Sequence, residues 1–181
     1  MKPTEILAGE HSLIRQALDN FSLAVEKLET GERPSKEFFE GAVQFARVFA
    51  DKYHHFKEEY LMFGLLAQKK NGELDSQIDS LKHQHERSRN LVSAMANSID
   101  GYVRGDDAHA TLLLENMAAY TSLLRHHIHR EDHVFYPMVD KELSQAEQKS
   151  LLNEFKKEEQ KQGGKTFKEC EKLVKKMGSL L

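Results

Sequence analysis

Four long stretches of this chain carry apolar residues at three- and four-residue spacing, with short breaks between them. That spacing matches the turn of an α-helix with one buried stripe, so it restricts the chain to helix packed on helix. The first stretch runs from about Thr4 to Glu29, with Leu7, Ile14, Leu18, Phe21 and Val25 in register. Thr30-Gly31-Glu32-Arg33-Pro34 breaks it, and Ser35 is placed to cap the next helix. The second runs to about Lys70 with Phe45, Val48, Phe49, Phe56 and Phe63, and Asn71-Gly72 signals a turn. The third spans about 74–103 and stops at Gly105; Asp106 or Asp107 caps the fourth, which runs to about Tyr136, where Pro137 ends or kinks it. Short connections force antiparallel neighbours. The expected fold is therefore all-α: an antiparallel up-down-up-down four-helix bundle over residues 1–143. Residues 144–181 read as a C-terminal helical extension packed on the bundle. A Ser144/Glu147 capping box opens it, Gly163-Gly164 interrupts it, and Phe167, Leu173, Val174 and Met177 line its last helix.

Composition narrows the chemistry. The chain has 181 residues, a size for one domain. A net charge of −3 gives no reason to expect nucleic acid. No apolar run approaches the ~18 residues of a membrane span, and the N-terminus turns acidic at once, so a cytoplasmic location is expected. The single cysteine, Cys170, excludes an internal disulfide and a thiolate metal site. Ten histidines accompany it. A metal here has to be held by imidazole and carboxylate.

An advance of about 100° per residue assigns each histidine to a face. His11 points inward with Leu7, Ile14 and Leu18. On the second stretch two pairs share the i, i+4 spacing, His54 with Glu58 and His55 with Glu59. Measured from a stripe centred on Phe56, Glu59 and His55 lie toward the core, and His54 and Glu58 fall about 160° away. His85 shares a face with Leu81 and Val92, and His127 lines up with Leu113, Tyr120 and Leu124, with Glu131 one turn later. His54, His83, His109, His129 and His133 are expected in solvent, and Asp132 off the inward face. One inward histidine per helix plus two inward glutamates is a costly set to bury unless it converges on cations.

In their order these residues resemble the hemerythrin-like, or HHE cation-binding, family. The matching stretches are Glu10-His11, "HHFKEE" at 54–59, "HERSR" at 85–89 and "RHHIHREDHVFYPM" at 125–138, which together span the bundle. The resemblance implies a non-haem di-iron centre with an oxo or hydroxo bridge. His11, His55, His85 and His127 would be terminal ligands, and Glu59 and Glu131 would bridge. Mn or Zn suits the same donors. Hemerythrins proper use five histidines, and Leu81 stands one turn before His85 where a further one would be sought. The open positions suit water or an extra ligand such as Glu10 or Tyr120. The implied function is binding of O2, NO or a related small oxidant such as peroxide, for sensing, storage or protection. The alternatives are a di-iron redox enzyme (oxidase, peroxide or NO decomposition, iron–sulfur repair) and an iron-responsive module whose metal ties the bundle together.

Overall fold

The computed structural model describes residues 1–67, 69 and 72–181. Asn71 of the expected turn lies outside them. Among the described residues the regular structure is all helical, without strands. Helix α1 is Pro3–Glu29 and α2 is Lys36–Phe45. From α2 the chain passes unbroken through two π-helical segments, Ala46–His55 and Lys57–Met62, into α3, Phe63–Leu66. Then come α4, Asp75–Val103, and α5, Asp107–Arg130. A third π-helical segment, Glu131–Phe135, joins α5 to α6, Tyr136–Glu142. Helices α7, Gln145–Lys161, and α8, Thr166–Ser179, complete the chain. Among the described residues no helix is long and apolar enough to cross a membrane.

The starts and stops follow local chemistry. Ser35 Oγ accepts from Phe38 N at 3.3 Å, and Asp106 Oδ1 accepts from Ala108 N at 2.9 Å, each satisfying an otherwise unpaired first-turn amide. Ser144 and Glu147 form the expected reciprocal box. Gly105, at φ +87°, takes the left-handed conformation that ends α4. Pro137 does not end the fourth stretch. It sits in the first turn of α6, directly after the π segment. There the wider winding has already displaced the regular ladder, and a missing N–H costs little.

Two apolar clusters fill the interior. The larger takes Leu13 to Ala24 of α1, Phe38 to Tyr53, Val92 to Tyr102, Leu113 to Ile128, and Cys170, Val174 and Met177 of α8. The smaller takes Leu7, Met62, Phe63, Leu66, Leu74 to Leu81, Phe135 to Val139, and Leu151 and Phe155 of α7. On each long element the sequence between the two clusters carries histidines or acids. A polar layer therefore separates two dry ones.

Phe155 is fully buried and fixes α7 to the smaller cluster. Phe155→Ala should cost about 3–5 kcal/mol. For a chain of this size that lowers Tm by about 6–20 °C. Thermal denaturation followed by circular dichroism checks it; a loss of only ~1 °C would show that α7 contributes nothing to the core.

Candidate metal centre

The polar layer collects seven buried groups. His55, Glu58, His85 and His127 bring one ligand atom each to within 4.8 Å of one another, and His11, His54 and Glu131 do the same beside them. All seven residues are at most 1% exposed. Glu131 lies between the groups: Oε1 is 3.1 Å from His127 Nε2 and Oε2 is 3.2 Å from His11 Nε2. Glu58 Oε2 faces His85 Nε2 at 3.4 Å and His54 Nε2 at 3.7 Å.

Helical winding explains how consecutive residues reach one site. His54, expected in solvent, and Glu58, expected opposite the apolar stripe, are 1% and 0% exposed. The face assignment assumed uniform α winding, but both lie in π-helical segments. The i→i+5 bonding of a π turn holds an extra residue, which slips the register and lets His54 and His55 both reach inward. The slip carries Glu59 to the edge of the site. It accepts from His85 Nδ1 at 2.6 Å and from Arg89 Nη2 at 2.7 Å, with 12% of its side chain exposed. His11, His85, His127 and Glu131 do meet in the layer. His83, His129 and His133 are exposed, and His109 is half-buried against Asp106.

Four imidazoles are held from behind. The Nδ1 of His11, His54, His85 and His127 lies 2.6–2.9 Å from Asp132, Glu10, Glu59 and Gln84, respectively. Asp132 is not off-face: Arg15 anchors its carboxylate, which receives His11. Glu10 also stands behind an imidazole, where buried Lys57 pairs with it and Glu159 of α7 pairs with Lys57 at 3.0 Å. Tyr120 belongs to neither group. Tyr136, read from the sequence only as a helix end, donates its hydroxyl to Glu58 Oε1 at 2.7 Å.

This arrangement fits a cation on three grounds. An Nδ1 that donates to a carbonyl or carboxylate leaves the lone pair on Nε2. The His11 and His54 Nε2 atoms then face each other at 3.0 Å, as do those of His85 and His127. Facing lone pairs repel, whereas two nitrogens about 2.1 Å from one ion at a right angle sit about 3.0 Å apart. Second, Glu58 Oε2, both Glu131 oxygens and His55 Nδ1 are buried without a hydrogen-bond partner. Leaving such carboxylates uncompensated costs several kcal/mol. Third, the donors are nitrogen and oxygen alone, a set suited to Fe, Mn and Zn.

Electrostatics sharpens the contrast between the groups. Burial pushes His54 and His85 well below the ordinary imidazole range and His55 down to about 4, and neighbouring imidazoles add to the effect. His11 is raised, because Asp132 and Glu131 outweigh its burial. Burial and the Glu131 charge push Glu58 well up, while His127 and His11 hold Glu131 well down against its burial. Glu58 and His11 are both raised, so a cation binding here competes with protons: affinity should fall as pH falls, and loading should release protons. Titration calorimetry in buffers of different ionisation enthalpy counts them. No net release would contradict the assignment of His11 and Glu58 to the binding atoms.

Comparison with known proteins agrees with this geometry. The family model described as the Hemerythrin HHE cation binding domain matches residues 2–139. Uncharacterised proteins of Mycobacterium tuberculosis and Mycobacterium bovis are 26% identical over 160 residues, covering 88% of this chain. The chain spans 62% of the length of those relatives. No solved structure gives a significant match.

Proposed function

Because the chain belongs to the hemerythrin HHE cation-binding family, we propose that the polar layer holds a non-haem di-iron centre that binds O2, NO or a related small oxidant. His11, His54 and Glu131 would hold one ion, and His55, Glu58, His85 and His127 the other; across the groups, Glu131 Oε1 lies 3.1 Å from His127 Nε2 and Glu58 Oε2 lies 3.7 Å from His54 Nε2. The observation that carries this is the pair of 3.0 Å Nε2–Nε2 approaches flanked by unpartnered carboxylate oxygens. The set has five imidazoles and two carboxylates, so His54 supplies the histidine that Leu81 does not. In this reading the long helices run up-down-up-down, with residues 144–181 as an extension on the bundle and the cytoplasm as the setting.

Bound iron would supply reversible one-electron chemistry and an open position for a small ligand. The chain's residues supply the rest. Asp132, Glu10, Glu59 and Gln84 fix the imidazole orientations through Nδ1. The two apolar clusters keep bulk water from the layer. Tyr136 offers a hydroxyl proton at Glu58 Oε1, 3.4 Å from His11 Nε2.

Metal analysis of untagged protein, followed by anaerobic reduction and exposure to O2 or NO under optical and Mössbauer detection, tests the proposal. About two irons per chain and a reversible absorption change are expected. Absence of bound iron, or oxidation that cannot be reversed by removing the gas, overturns it. Tyr136 favours a second reading, a redox enzyme that turns over peroxide or NO, because a proton donor sits at the centre. Turnover lost in Tyr136→Phe at full metal content is its signature.

A further inference from the structure

A cavity of about 400 Å³ opens beside the metal layer, between the first π segment and α4. Its size suits a small molecule. Arg47 and Lys52 stand at it from the π segment, Ser88 and Arg89 from α4, and Tyr120 of α5 closes it. Arg47 and Lys52 are exposed, and neither side chain makes an ion pair or hydrogen bond with a described residue. Asp51, the one acid in the lining, is already engaged by Arg89 Nε at 2.8 Å. The free charge at the cavity is thus positive, on a chain whose net charge is −3.

Tyr120 is the second, independent observation. It is 2% exposed and packs its ring on Phe21 at 6.0 Å, yet its hydroxyl has no hydrogen-bond partner among the described residues. That oxygen is not fully enclosed, so the hydroxyl reaches the cavity its ring lines and is free to donate to what the cavity holds.

We propose that this cavity is a binding site for a small molecule bearing an oxyanion, a carboxylate or a phosphate, held by Arg47 and Lys52 with Tyr120 donating to one of its oxygens. Arg89 gives the site a route to the metal layer, because the same guanidinium holds Asp51, 3.7 Å from His55 Nδ1, and Glu59, which receives His85 Nδ1. Binding itself does not require that the layer hold a metal.

Titration calorimetry on the full chain, with succinate and with inorganic phosphate as separate probes, tests this in both as-purified and chelator-treated protein. Saturable binding of at least one probe is expected in both samples, and the tighter probe tells carboxylate from phosphate as the natural group. The double variant Arg47→Ala/Lys52→Ala should weaken it at least about tenfold, in line with loss of charge-assisted contacts. Tyr120→Phe keeps the ring and should weaken it up to about tenfold. Binding that neither variant changes, or no binding of either probe, overturns the proposal. So does binding that disappears with the metal, which would place the anion on the ions. The metal reading fails separately, if the protein takes up no metal while the probes still bind.

Discussion

Supplying Fe(II), Mn(II) or Zn(II) to metal-free protein at about a thousand times its Kd should raise Tm by about 8–16 °C. A ligand that binds only the folded state adds about 4 kcal/mol at that concentration. A chain of this size gains about 2–4 °C per kcal/mol. The sign is secure because the metal-free layer is costly to bury: Glu58 Oε2 and both Glu131 oxygens lack partners in a site closed to water. Differential scanning calorimetry with and without chelator measures it. A shift under ~2 °C would mean that no ion engages the layer.

The second large effect separates two adjacent glutamates. Glu58→Ala removes a fully buried oxygen donor from the group formed with His55, His85 and His127. Metal content should fall from about two ions per chain to one or fewer. Glu59→Ala leaves both groups complete and removes the acceptor behind His85, along with one partner of Arg89. It should keep both ions at saturation and weaken affinity about 10–100-fold. Metal analysis with competitive chelator titration reads both. The opposite ranking would return the site to the register that uniform α winding implies.

That contrast shows what the sequence carried and what it did not. Apolar spacing places the long helices, and the caps at Ser35, Asp106 and Ser144 were legible because a side-chain oxygen three residues or fewer from an amide is a local signal. His11, His85, His127 and Glu131 were legible as inward-facing for a similar reason. Three of them lie on regular α-helix, and Glu131 directly follows one. His54 and Glu58 were not, because the π winding is a departure from the assumed period that propensity does not reveal. The one available signal was the doubled motif at 54–59, where both His-x-x-x-Glu registers are present at once. Asp132, Gln84, Lys57 and Tyr136 were missed for another reason. Their partners are 43 to 121 positions away, and no local pattern announces a pairing at that range.

The two apolar clusters with a polar layer between them bear on how the molecule comes apart. Each cluster is a patch of cohesive packing, and the layer joining them is the weakest in metal-free protein. Opening should then proceed by cooperative units, the smaller cluster around Leu74, Ile78, Phe135 and Phe155 exchanging its amide hydrogens ahead of the larger. A pair of ions gripping residues from α1, α4, α5 and the π segments would join the halves into one unit. Exchange rates at Ile78 and Val92, on either side of His85 along one helix, would then converge, so the length over which this protein unfolds as a block becomes a readout of its metal content.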